Sequence, residues 1–239
     1  MEVILGKTAI LIDGGFFRKR ANTLWGVATA EDRAEQLISY CQQHLRDKDG
    51  EDKRSLYRIF YYDCPPYEGS VYHPYSQKNI NLKKSVTYVW SNTFLEELKK
   101  KRKVALRLGQ LSVITAGYSL IPKVERELFS GTKQLSEITD TDFVFHMDQK
   151  GVDIKIGIDI ATLAYKKLVD QIILISGDSD FVPAAKLARR EGIDFILDPL
   201  HANIRPDLFE HIDGLMSKSD PTRAKTSIGT GKLKNKELK

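Results

Sequence analysis

The chain has only two cysteines, Cys41 and Cys64, among 239 residues. Two thiols cannot build a disulfide framework or supply the four ligands of a structural zinc site, so both are expected as plain thiols. No apolar run approaches the roughly 20 residues that cross a bilayer, so no membrane span is expected. The N-terminal MEVILGKTAILID has neither a basic n-region nor a small-residue cleavage site. No secretory signal is expected, and the cytoplasm is the default location. The five histidines are scattered, with no pair at zinc spacing and no serine elbow nearby. Hydrolysis by a serine or cysteine nucleophile is therefore unsupported. GTGK at 229–232 is no phosphate loop: Thr226 stands where the earlier glycine belongs, Leu233 follows the lysine, and no strand precedes it. Over most of its length the chain also lacks net charge. Segment 217–239 holds seven Lys and Arg against Asp220 and Glu237, whereas residues 1–216 carry 30 basic and 30 acidic side chains. The body must meet any polyanion through local patches, and the tail adds salt-dependent, sequence-independent attraction.

What is present is an ordinary globular composition, 41% hydrophobic and 29% charged. TAILI at 8–12 reads as a buried strand that stops at Asp13-Gly14-Gly15. Helical spacing follows over 31–46, and LYRIFYY at 56–62 is a strand ended by Asp63 and Pro65-Pro66. Residues 65–88 show no period and are expected to form a long loop. Asn92 is read as the cap of a helix over 93–103, and 104–114 as a strand or hairpin arm. Residues 115–140 are ambiguous; FVFH at 143–146 is a short strand. A helix is expected over 153–168, a strand at 171–175, a helix over 180–191, a strand at 193–197 and a last helix over 206–215. Strands alternating with helices argue an α/β fold with a mainly parallel sheet.

Open parallel sheets bind ligands outside the carboxyl ends of their strands. Two apolar strands end there in acids, LID with Asp13 and LISGDSD with Asp178 and Asp180, and Asp153 opens the helix before the second. Each has a structural alternative: Asp13 as a turn or cap residue, Asp153 and Asp180 as helix caps. Asp178 is the hardest to explain that way. Converging carboxylates repel by ~1 kcal/mol at 4 Å in water and ~4 kcal/mol at an effective dielectric near 20. A hard divalent cation with oxygen ligands offsets that repulsion, and Mg²⁺ or Mn²⁺ so held can activate water against a phosphate. Asp159 lies six residues beyond Asp153, about 240° around an ideal helix. It stands either as a ligand or behind one.

Three blocks, AILIDGGFF at 9–17, KGVDIKIGIDIATLAY at 150–165 and IILISGDSDFVPAAKLARREG at 172–192, resemble the NYN domains, in particular the LabA-like branch of the PIN-domain nuclease superfamily. The resemblance implies a Rossmann-like (PIN-like) sheet flanked by helices, within a domain read as 1–216. It is silent over roughly 64–142, which is taken as an insertion, and the composition of 217–239, rich in Lys, Ser, Thr and Gly, is that of a basic flexible tail. It implies Mg²⁺ or Mn²⁺ dependence and single-stranded RNA as substrate. By position it assigns Asp13, Asp153, Asp178 and Asp180 as metal-binding and catalytic, with Asp159 following in the same helix. Many relatives carry Asn after the first Asp; this chain has Gly14.

Arg18 and Arg20, just after the first block, Lys150, and Ser176 beside Asp178 are the expected substrate contacts. The structural alternative for the basic clusters is a solvated helix face. Tyr61, Tyr62, Tyr67, Tyr72, Tyr75 and His73, in or near the long loop, offer rings that could stack on unpaired bases. The expected function is a metal-dependent ribonuclease. The alternatives are a non-catalytic RNA-binding or regulatory module, and a phosphohydrolase acting on small substrates. Self-association is left open.

Overall fold

Residues 6–46, 50–51 and 53–222 are described by a computed structural model. Its first half runs β1 (Gly6–Asp13), α1 (Gly14–Trp25), α2 (Ala30–Gln43), β2 (Arg54–Asp63), β3 (Ser70–His73), β4 (Lys78–Asn81), α3 (Val86–Lys99) and β5 (Val104–Leu108). There follow β6 (Gln110–Leu111), β7 (Gly117–Leu120), α4 (Pro122–Phe129), β8 (Phe143–His146), β9 (Gln149–Lys150) and α5 (Val152–Tyr165). The last described elements are β10 (Gln171–Ile175), α6 (Val182–Arg190), β11 (Asp194–Asp198), α7 (Pro206–Phe209) and β12 (Gly214–Leu215).

Six strands form one parallel sheet in the order β12-β11-β10-β1-β2-β5. The chain starts at the centre, moves outward through β2 and β5, then crosses back to lay β10 on the other side of β1. The switch in direction therefore falls between β1 and β10, where open parallel sheets place their ligands. Alternate side chains of β1 feed two cores. Ala9 and Leu11 pack with Ile156, Ile160 and Leu163 of α5, while Ile10 and Ile12 pack with Phe17 of α1, Leu37 of α2 and Phe94 of α3. Helices on both faces explain why the strands read as unbroken apolar runs rather than alternating ones. Each fully buried Leu or Ile contributes roughly 1.5–3 kcal/mol of transfer energy.

The expected α/β class holds; several expected elements change. Residues 65–88 are not one loop, because β3 and β4 pair as an antiparallel hairpin there. α3 begins at Val86, not near 93: Ser85 Oγ accepts the Tyr88 amide at 3.1 Å and caps it. Its β-branched and aromatic first turns hid the start, since those residues are poor helix formers in isolation. β6 pairs with β9, and β7 with β8. The expected last helix, 206–215, is a single turn followed by a two-residue edge strand. Ser217 Oγ donates to Asp198 at 2.6 Å and the Lys218 amide donates to the Tyr40 hydroxyl at 3.0 Å, so the first residues of the expected tail are seated on the body. The rest of that tail, 223–239, lies outside the described residues. Among the described residues no helix is long and apolar enough to cross a membrane.

The hairpins of 64–150 leave the sheet from the carboxyl ends of β2 and β5, on the same side as the acidic strand ends. His73 is buried at their centre, 4.4 Å from the Tyr118 ring and 5.2 Å from that of Phe143.

Candidate active site

Parallel pairing of β1 with β10 sets Ile12 opposite Ile175, so Asp13 and Ser176 leave the sheet side by side. Asp13 caps α1: its Oδ1 accepts the Phe16 amide at 3.1 Å. Its Oδ2 accepts Ser176 Oγ at 3.4 Å, and that same hydroxyl accepts the Asp178 amide at 3.3 Å. Asp178 in turn accepts the Asp180 amide at 3.0 Å, opening the 3₁₀ turn Ser179–Phe181 that leads into α6. Ser176 is fully buried, so it links the two acidic turns rather than facing solvent. Gly177 is needed between them, because a Cβ there would stand 2.8 Å from the Phe16 ring.

Asp153, second residue of α5, completes the rim. Burial raises the pKa of Asp13; the Phe16 amide opposes this, and repulsion from Asp153 and Asp63 adds to it. Desolvation raises Asp153 too, with further repulsion from Asp178 and Asp180. Asp153 is therefore the shared neighbour, with Asp13 on one side and Asp178 and Asp180 on the other. Among the described residues none of the four is ion-paired with a lysine or arginine. Every donor is a carboxylate or hydroxyl oxygen, the set a hard divalent cation takes. As they stand, no three Asp, Glu, His or Cys side chains among the described residues meet closely enough to hold one ion.

The other predicted site residues have different surroundings. Asp159 accepts the Tyr62 hydroxyl at 2.8 Å and is ion-paired with Arg107 at 2.9 Å. It braces α5 against β2 and β5. Arg20 donates twice to the Leu200 carbonyl, at 3.3 and 2.8 Å, and so fastens the turn after β11. Lys150 is exposed on β9, three residues before Asp153. Tyr61 and Tyr62 are buried in β2 and offer no face to a base, whereas Tyr72 and Tyr75 are exposed.

Asp63 was not among the expected site residues. It ends β2 as Asp13 ends β1, and the apolar run 56–62 that stops at it has the same form as TAILI. It is fully buried, accepts the Tyr61 hydroxyl at 3.0 Å and the Cys64 amide at 2.8 Å, and is ion-paired with Arg18 at 2.9 Å. Burial works against the Arg18 charge, but Tyr61, Asp63 and Asp13 together raise its pKa. Gln149 Nε2 donates to Asp63 at 3.4 Å from β9. Gly14 also has a steric reason: a Cβ there would stand 2.6 Å from the Tyr61 ring and from the Tyr62 carbonyl. Tyr61 occupies the space that an asparagine at 14 would need.

The NYN domain family matches residues 73–204, more than half of the chain and including Asp153, Asp178 and Asp180 but not Asp13. A search of curated proteins finds no significant match. Among solved structures, a protein of unknown function from Vibrio parahaemolyticus is 12% identical, with 92% of this chain and 98% of that one covered at a TM-score of 0.46. A likeness that loose carries no argument.

Proposed function

The chain belongs to the NYN domain family, part of the PIN-like nuclease superfamily, and on that premise we propose that it is a metal-dependent ribonuclease acting on single-stranded RNA in the cytoplasm. The observation that carries this reading is the acidic rim at the sheet's switch point: Asp13, Asp153, Asp178 and Asp180 gathered with no lysine or arginine ion-paired to any of them among the described residues. Drawn closer than they stand, these four would hold Mg²⁺ or Mn²⁺, which would supply a water nucleophile and charge stabilisation at a phosphodiester. Ser176 keeps Asp13 and Asp178 in register, and Asp63 with Arg18 forms a neutral floor beside them. Lys150, exposed three residues before Asp153 and without an ion pair among the described residues, is the cation this reading offers to a strand's phosphates. Asp159 and Arg20 serve the framework. The three sequence blocks support placement in the LabA-like branch.

Asp178→Asn is expected to lower single-stranded RNA cleavage in Mn²⁺ at least about 100-fold, some 2.7 kcal/mol of barrier. Unfolding of the variant should match wild type. Cleavage by Asp178→Asn at the wild-type rate would sink the reading. The spread of the carboxylates favours a second reading, an RNA-binding module without catalysis. RNA binding unchanged by EDTA, with no cleavage in any divalent metal, would decide for it.

A further inference from the structure

Beside the acidic rim the fold encloses a second feature that the carboxylates do not explain. It is a cavity of about 560 Å³ between the start of α3 and the β7–β8 hairpin, within the roughly 300–1,000 Å³ typical of small-molecule sites. Its walls include the aromatic rings of Tyr67, Tyr88, Tyr118 and Phe145, with Pro65 and Pro66 beside them. The Tyr118 ring is held between His73, 4.4 Å away, and Phe145, 5.3 Å away, so that wall is built before any ligand arrives. Polar groups sit among the rings: the exposed Thr87, His146 and Asp148. The Asp148 carboxylate has no ion pair among the described residues. Ser85 is spent on capping α3 and on the Leu82 carbonyl.

Arg18 and Gln149 line this cavity and also bind Asp63, whose charge reaches Asp13. The cavity thus adjoins the rim at Gln149, whose Oε1 lies with Asp13 Oδ1 against Gly15. A planar, π-faced ligand with hydrogen-bonding edges, tethered to a phosphate, suits these walls better than an aliphatic or sugar ligand. Resting on the ribonuclease reading for the strand's position, we infer that this cavity receives one unpaired nucleobase of the RNA whose phosphate lies over the acidic rim. An acidic acceptor at the base edge favours bases that carry an amino group, adenine, cytosine or guanine, over uracil.

The test uses the full chain in EDTA, with labelled oligoadenylate, oligocytidylate and oligouridylate followed by fluorescence anisotropy. Oligoadenylate or oligocytidylate should bind about fivefold or more tightly than oligouridylate, the scale of one edge contact. Phe145→Ala should bring the ratio within twofold. Thr87→Trp, a filling change at an exposed helix position that spares the hairpin, should do the same. Equal binding of all three oligomers, or an unchanged ratio in Thr87→Trp, overturns the inference. So does AMP binding that leaves oligonucleotide binding intact, which would assign the cavity to a free nucleotide. Binding is read without metal, so the two readings separate. Base-selective binding by a chain that never cleaves keeps the cavity and sinks the nuclease. Cleavage with no base discrimination does the reverse.

Discussion

Asp13 and Asp198 are both aspartates at the carboxyl ends of strands in the same sheet, yet they have opposite chemistry. Burial alone would raise the Asp198 carboxyl, but the hydrogen bond and charge of His44, with the hydroxyls of Ser217 and Tyr40, hold it below the ordinary range. The contacts are short: His44 Nε2 at 2.8 Å, Tyr40 at 2.6 Å, Ser217 at 2.6 Å and the Leu200 amide at 2.8 Å. Asp13 has one amide and one distant hydroxyl, and faces other carboxylates. Strand-end position alone therefore does not make an aspartate a ligand. A carboxylate with its partners already supplied serves the fold; one left among like charges is available to a cation.

The largest expected effect follows from the satisfied member. Asp198→Ala leaves buried His44, Tyr40 and the Leu200 amide without their acceptor, and also removes the Ser217 tie of the 217–222 segment. Breaking a buried, hydrogen-bonded charge of this kind costs about 3–5 kcal/mol. Urea unfolding of the variant checks it, and a loss below about 1 kcal/mol would show that the cluster is not the tie described. Asp178→Asn stands at the other pole: it is expected to remove cleavage and leave the unfolding midpoint in place. If both variants lost stability equally, the contrast between the two regions would collapse.

A smaller effect lies at the joint between strand β1 and helix α1. Gly14→Ala places a methyl group 2.6 Å from the Tyr61 ring and the Tyr62 carbonyl. One of these contacts is backbone, so the carboxyl ends of β1 and β2 must move apart, and overpacking of this size costs about 1–3 kcal/mol. Asp13 sits on the moving segment. Thermal unfolding and RNA cleavage should therefore both fall. Full activity with reduced stability would show that the rim tolerates displacement of β1.

These two regions were not equally legible in the sequence. Asp13 and Asp178 stand where apolar runs break at Gly-flanked acids, with Asp180 two residues on, a pattern that needs only local periodicity to read. Asp153 was legible from its place at a helix start. Asp63 had the same signal, an apolar run ending in Asp, but the prolines after it drew the reading towards a loop. Asp198 and His44 lie 154 residues apart, and no local pattern announces that pairing. The fates of Asp159 and Arg20 were equally hidden: each is fixed by a partner remote in sequence, Arg107 and Leu200. The parallel sheet was legible because both of its faces are covered and its strands are uniformly apolar. The hairpins of 64–150 were not, because their strands are short and their order is held by aromatic contacts around His73.

The smallest expected effect sharpens the contrast by its sign. In EDTA, Asp13 has a raised pKa in the folded state. Between the ordinary carboxylate pKa and that raised value, the folded chain binds more protons than the unfolded one, so stability falls as pH rises and then stays lowered. Asp198 has a depressed pKa, so the stability it contributes is present above the ordinary value and is lost as pH falls through the folded one. Asp13→Asn keeps a capping oxygen for the Phe16 amide and removes the repulsion. It should equal wild type in acid and exceed it by about 1 kcal/mol at neutral pH, the scale of one like-charge contact near water. Millimolar Mn²⁺ should reverse that order, because an ion bound only by folded wild type stabilises it by mass action. Urea midpoints measured across pH, with and without Mn²⁺, read both signs. An Asn variant less stable than wild type at neutral pH in EDTA would mean that Asp13 is as satisfied as Asp198, and the rim would no longer be a place that calls for a cation.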